Sequence, residues 1–145
     1  MKRVLSGLAL ATLAVSLLVA AEVKLDGVKC PVSAEPAKAA SSVDFEGGKV
    51  YFCCNDCKTS FQSNPAKFAA KARNQLVATG QAKQASCPIS GEPINKDKTV
   101  KINGATVSFC CDSCKGKVEK ASGDEQVNLL FSDAAWKKGG FKAGK

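Results

Sequence analysis

The sequence predicts an α+β fold built from two tandem small units, each a β-hairpin followed by helices. Three observations carry that expectation. Cys30, Cys53, Cys54 and Cys57 recur 57 residues later as Cys87, Cys110, Cys111 and Cys114, with no insertion between them. Alternating residues flank a glycine-containing turn just before each cysteine pair, as paired strands require. Beyond the cysteines, apolar residues recur at helical spacing behind capping residues.

In chain order, Met1-Lys2-Arg3 is a short positive start, and Val4 to Ala21 is uncharged and apolar. Val19-Ala20-Ala21 supplies the small residues a signal peptidase needs, so residues 1–21 are expected to be a cleaved signal peptide. A retained anchor is disfavoured, because the stretch is only marginally long enough to span a bilayer and is weakly apolar. No cysteine follows it closely, which disfavours a lipid anchor. The expected product is exported, periplasmic or secreted, with no stable membrane anchor. Loss of Lys2 and Arg3 lowers the net charge from +8 to +6. The remaining cations are almost all scattered lysines and aromatic residues are few, a solvated surface rather than a nucleic-acid track.

The repeat sets the domain organisation: a first unit over 22–80 and a second over 81–145. Pro31/Pro88, Ser33/Ser90, Glu35/Glu92, Pro36/Pro93, Gly47/Gly104 and Phe52/Phe109 are identical pairs at the same offset. Units of about 60 residues have marginal hydrophobic cores and usually need a staple. Cysteines are the only staple on offer.

Within the first unit, VDFEGGKVYF (43–52) alternates around Gly47-Gly48; within the second, VKINGATVSF (100–109) alternates around Asn103-Gly104. Both read as hairpins, with Asn-Gly the stronger turn signal. Asn55 and Asp112 follow the cysteine pairs where they can cap a helix that carries Cys57 on to Phe61, or Cys114 on to Val118. A further helix follows in each unit. Asn64 caps the first, Pro65 opens it, Phe68, Ala72 and Leu76 form its stripe, and Gly80 ends it. Ser122 and Glu125 form a capping box for the second, with Val127, Leu130, Phe131 and Ala134 as the stripe. These stripes are core faces.

At CPVSAEP with GGKVYFCCNDCKTSFQSNPAKF, and at CPISGEP with NGATVSFCCDSCKGKV, the sequence resembles the YHS/TRASH family of small metal-binding domains. The likeness lies in a first cysteine at a proline-containing turn, a hairpin, and then Cys-x-x-x-Cys. Cys30 is followed by 22 residues, Cys53, three residues and Cys57, and the second unit repeats that spacing. It covers residues 30–68 and 87–118. The resemblance implies a treble-clef or zinc-ribbon-like fold and a link to heavy-metal handling, usually copper or zinc, with no catalytic residue. Two departures stand out. Many members begin Asp-Pro-x-Cys, whereas here Cys-Pro-Val-Ser and Cys-Pro-Ile-Ser put the thiol first. The family's Tyr-His-Ser lettering is absent, since the chain has no histidine, so histidine ligands do not carry over.

The residues themselves leave three readings of the thiols. As metal ligands, Cys54 and Cys57 would approach an ion from one side at a helix start, where the dipole and free N–H groups favour thiolate. Cys30 would close the site and Cys53 would be a fourth ligand; Cys87, Cys110, Cys111 and Cys114 would do the same in the second unit. Four thiolates suit zinc. Adjacent residues of a strand point to opposite faces, so Cys53 and Cys54 bind together only if the strand has already broken. Three thiolates favour a soft ion such as copper(I). The expectation is one zinc or copper(I) ion per unit, held by some or all of these eight cysteines. As disulfides, an even cysteine count in small exported units is the usual setting, at roughly 2–4 kcal/mol per bridge. As exchanging thiols, Cys54-Asn-Asp-Cys57 and Cys111-Asp-Ser-Cys114 bear a superficial likeness to thioredoxin motifs, without the βαβ frame.

A conventional enzyme finds little support: there is no histidine to activate a nucleophile, no phosphate-cradling glycine loop and no evident acid/base pair. Glu35 and Glu92 are expected to serve the cysteine turns. Metal ions are the expected partners, with a protein partner left open.

Overall fold

The computed structural model describes residues 23–144, so the expected signal peptide over 1–21 lies outside the described residues. The first unit pairs β1 (Lys38–Phe45) with β2 (Gly48–Phe52) in an antiparallel hairpin. Two helices follow, α1 (Asn55–Ser63) and α2 (Pro65–Ala78). A short strand, β3 (Ala82–Lys83), leads to the second hairpin, β4 (Asn95–Ile102) with β5 (Ala105–Phe109). Then come α3 (Asp112–Lys120), α4 (Gly123–Phe131), α5 (Asp133–Lys138) and β6 (Lys142–Ala143). The result is the α+β arrangement that the repeat predicts.

Alternation decides which strand residues enter the core. Val50 and Phe52 of β2, and Val107 and Phe109 of β5, are fully buried. The second turn uses Asn103 and Gly104, both with positive φ (46° and 86°), as Asn-Gly predicts. The first turn sits one residue earlier than the glycine pair suggests. Phe45 faces Gly48, and the turn residues are Glu46 (φ 47°) and Gly47 (φ 84°). Two contacts explain the shift. A Cβ on Gly48 would meet Leu76 Cδ2 at 2.6 Å, so glycine is needed in the strand. Glu46 is held in its left-handed conformation by Arg73, whose Nε and Nη2 donate to its two carboxylate oxygens at 2.8 and 2.5 Å.

The helix caps also differ from expectation in part. Asn64 does cap α2, accepting the Lys67 N–H at 3.3 Å, with Pro65 at the first position and Gly80 (φ 72°) just past the end. The N-caps of α1 and α3, however, are Cys54 and Cys111. Asn55 and Asp112 already lie inside these helices. Their side chains turn back toward the hairpins instead, Asn55 accepting from Ser41 Oγ and Asp112 from Lys98 Nζ.

The last expected helix is divided. Ser122 is the N-cap of α4 but makes no side-chain capping bond, so the capping box does not form. Val127, Leu130 and Phe131 are buried on α4, which stops at Phe131. The Phe131 carbonyl accepts from Arg73 Nη1 at 3.1 Å, and Asp133 accepts from the same guanidinium at 2.6 Å. α5 begins there in a new direction, so Ala135 is buried and Ala134 exposed.

Two cores result, one under each hairpin. α2 lies between them. Ala72 and Leu76 are buried in the first core, while Asn74 Nδ2 donates to the Ile102 carbonyl of the second hairpin at 3.0 Å. β6 returns to pair with β3, and Ala143 packs against the first core. Trp136 packs against both cores, stacked on Phe141, with the Arg73 guanidinium over its ring at 5.5 Å from the centroid.

Candidate metal centres

Each candidate centre starts from a turn. The Cys30 N–H donates to the Glu35 carbonyl (2.7 Å) and the Ala34 N–H to the Cys30 carbonyl (3.0 Å). Cys87, Glu92 and Gly91 repeat the pattern at 2.8 and 2.7 Å. Glu35 and Glu92 thus contribute to the turns through their backbones. The position after the serine has positive φ in both units, Ala34 at 62° and Gly91 at 84°. The first unit therefore places a Cβ where the second has the conformationally free residue.

Beside each turn, the strand has ended before the cysteine pair begins. β2 stops at Phe52, and Cys54 is extended (φ −155°, ψ 171°) as it starts α1. Cys53 is half-buried beside the turn, Cys54 is exposed, and the first helical turn brings Cys57 back toward Cys53. The sulfurs of Cys30, Cys53 and Cys57 lie within 4.8 Å of one another, and those of Cys87, Cys110 and Cys114 do the same. Sulfur contacts of 3.5 Å (Cys53–Cys57) and 3.7 Å (Cys110–Cys114) lie within these groups. All eight cysteines are free thiols.

The fourth cysteine of each unit borders its group without being within 4.8 Å of every sulfur in it. Cys54 and Cys111 are exposed, with sulfurs 3.6 and 3.5 Å from Cys53 and Cys110 respectively. The clustered helix-side pair is thus Cys53 with Cys57, rather than Cys54 with Cys57. Exposure and reach to the first cysteine separate them: Cys53 is half-buried and close to Cys30, whereas Cys54 is exposed.

The thiols differ in acidity for identifiable reasons. Burial pushes Cys30 up, but the backbone N–H groups of Ser33, Cys53 and Val32 outweigh it and bring the pKa down to about 7. Cys87 also falls to about 7: burial opposes, while the Ser90 hydroxyl and the N–H groups of Cys110, Ser90 and Ile89 prevail. Cys57 is pushed up to about 12 by burial and then by the Cys53 thiol, and Cys114 likewise to about 12 by burial and the Cys110 thiol. Cys54 and Cys111 are lowered, chiefly by the backbone N–H groups of Cys57 and Cys114 at the helix starts. Each group thus holds one sulfur ready to ionise and another kept protonated. A cation can relieve that conflict. Three soft sulfurs converging on one point fit zinc or copper(I), and no carboxylate belongs to either group.

A pair of glutamines behind the centres escaped the sequence reading. Gln75 Nε2 donates to the carbonyls of Lys29 (2.9 Å) and Tyr51 (2.8 Å), and its Oε1 accepts the Tyr51 N–H (2.7 Å). Gln84 makes the same three bonds to Ser86 and Ser108, at 2.8, 2.6 and 2.9 Å. Each amide ties the residue before the first cysteine to the strand that delivers the others. Gln75 comes from α2 and Gln84 from the stretch between β3 and β4, so they do not match at the repeat offset. That mismatch hid them.

Among the described residues, no helix is long and apolar enough to cross a membrane. Compared with family models, curated proteins and solved structures, the chain finds no match in any of the three.

Proposed function

We propose that this is an exported heavy-metal-binding protein that handles or buffers zinc or copper(I), one ion in each cysteine group, without catalysing a reaction. One observation carries the reading: two three-thiol groups, each within 4.8 Å, arise at matching positions of the two units. Both copies keep the group intact, with Cys30, Cys87 and Cys114 buried and no disulfide formed. The YHS/TRASH likeness points the same way through its cysteine spacing, and the leading segment supports a periplasmic or secreted setting. Cys30, Cys53 and Cys57, with Cys87, Cys110 and Cys114, would hold the ions. A bound cation would supply charge neutralisation for the clustered thiolates. Cys54 and Cys111, exposed beside the groups, would be the sulfurs first met by an arriving ion or chelator.

The test is elemental analysis with thiol counting on protein purified from its own compartment without added metal or reductant. Two ions per chain, with the six clustered thiols reactive only after chelation, is the expected result. Absence of metal and of free thiols, with a mass lower by eight hydrogens, would identify a disulfide-stapled scaffold instead. A second reading, thiol–disulfide exchange, has the exposed, acidified Cys54 and Cys111 in its favour. It requires metal-free protein that reduces a disulfide substrate, an activity the metal reading does not expect.

A further inference from the structure

Zinc sites commonly take two donors from one turn through Cys-x-x-Cys spacing. Both turns here carry a hydroxyl at the second of those positions: Cys30-Pro31-Val32-Ser33 and Cys87-Pro88-Ile89-Ser90. The hydroxyls reach the thiol groups. Ser33 Oγ lies 3.2 Å from Cys53 Sγ, and Ser90 Oγ lies 3.2 Å from Cys110 Sγ. Each oxygen also accepts a backbone N–H two residues on, from Glu35 at 3.4 Å and from Glu92 at 3.2 Å. A hydroxyl has one proton and two lone pairs. With a lone pair engaged by the backbone, its proton is free for the sulfur, and a thiolate can only accept.

We infer that Ser33 and Ser90 determine which metal the centres take, by placing a hydrogen-bond donor where a fourth thiolate would stand. The inference rests on the metal-binding reading above and deepens it. A neutral hydroxyl is a poor substitute for the sulfur, nitrogen or carboxylate donors that close a zinc tetrahedron. Cys54 and Cys111 touch Cys53 and Cys110 but are not within 4.8 Å of all three sulfurs, so each group as it stands offers three thiolates, which suit copper(I). Donation from the serine O–H spreads the negative charge of the thiolate that remains, an outer contact that tunes the centre without entering it. Turn chemistry alone accounts for the bonds from Glu35 and Glu92, because serine oxygens often accept an N–H two residues on. It does not account for two hydroxyls that also meet a clustered sulfur at the same distance.

The test uses the full mature chain, reduced and anaerobic, as wild type, S33C/S90C and S33A/S90A. Copper(I) is titrated in competition with bicinchoninate, and zinc(II) in competition with a chromogenic chelator. Wild type is expected to prefer copper(I), with three sulfurs and no bonded oxygen in the copper X-ray absorption spectrum. S33C/S90C should bind zinc at least about tenfold more tightly than wild type by completing the tetrahedron. S33A/S90A should lose about tenfold in copper affinity while its metal-free circular dichroism spectrum stays that of the wild type. Equal zinc affinity in wild type and S33C/S90C, or an oxygen bonded to copper, would overturn the selectivity role. Failure of wild type to take up either ion would instead overturn the metal reading itself. If the double cysteine variant does not fold, S33C alone, with the second unit as internal reference, and the wild-type absorption spectrum still decide.

Discussion

The six clustered cysteines and the two exposed ones differ enough in acidity and access to be distinguished chemically. Cys54 and Cys111 are exposed and acidified by helix-start N–H groups, so they should react first with iodoacetamide in metal-free, reduced protein at neutral pH. Cys57 and Cys114, held near 12 by burial first, should react last together with the fully buried Cys30 and Cys87. Peptide mass spectrometry over a time course checks the order, and equal labelling of all eight would refute it. A pH dependence follows with opposite signs. Cys30 and Cys87 have folded pKa values near 7, below the ordinary 9.0, so their contribution is present above 9 and lost as pH falls through 7. Cys57 and Cys114 are raised, so theirs is present below 9 and lost as pH climbs toward 12. The metal-free protein should therefore gain thermal stability from pH 7 to 9 and lose it above. C30S/C87S should flatten the lower limb in melting curves, and an unchanged lower limb would refute the assignment.

At the scale of elements, each hairpin and turn works as one device only because a glutamine amide joins them. Gln75 is 3% exposed, and its three bonds satisfy the Lys29 carbonyl and both backbone groups of Tyr51. Q75A leaves those groups unpaired and should destabilise the chain by about 2–3 kcal/mol in urea unfolding. Q84A should cost less, since Gln84 is only half-buried. Because Lys29 precedes Cys30, Q75A should also weaken metal binding by about tenfold in the first centre alone. Equal loss in both centres, or none, would show that the amide does not position the turn. Both hairpins, the start and end of α2 and the cysteine sets were legible in the sequence, because each obeys a local rule: alternation, Asn-Pro at a helix start, glycine at its end. The shift of the first turn to Glu46-Gly47 and the break at Ser132 were not. Both depend on Arg73, which is distant in sequence from each, and no local pattern reports a long-range guanidinium. The choice of Cys53 over Cys54 was not legible: the two sulfurs are 3.6 Å apart, and which of them also reaches Cys30 depends on where β2 stops.

At the scale of the molecule, the duplication has become one interlocked body. Arg73, Asn74 and Gln75 are polar yet buried, and the residues 57 positions later are Leu130, Phe131 and Ser132. The two copies have diverged where they meet: Leu130 and Phe131 of α4 are apolar, while α2 offers a polar set that reaches across. Arg73 is the centre of this seam, donating to Glu46 in its own unit and to Asp133 and the Phe131 carbonyl in the other. Its side chain is 8% exposed, whereas that of Asp133 is 80% exposed, so solvent screens the second pairing and most of the value lies with Glu46 and the carbonyl. R73M keeps the volume but strands Glu46 and an unpaired carbonyl, which should cost roughly 3 kcal/mol, the low end for breaking a buried pair. The consequence is cooperativity as well as stability. Wild type should unfold in urea in one transition by both tryptophan fluorescence, reporting Trp136 at the seam, and circular dichroism, reporting the helices. R73M should separate the two curves, because each small core then retains only its own contacts. The segment 22–80 alone should fail to unfold cooperatively, since it lacks the Ala143 contact and exposes the polar face of α2 to no partner. Coincident curves in R73M, or a cooperative 22–80 segment, would mean that the units are independent beads and that the seam transmits nothing between the two centres.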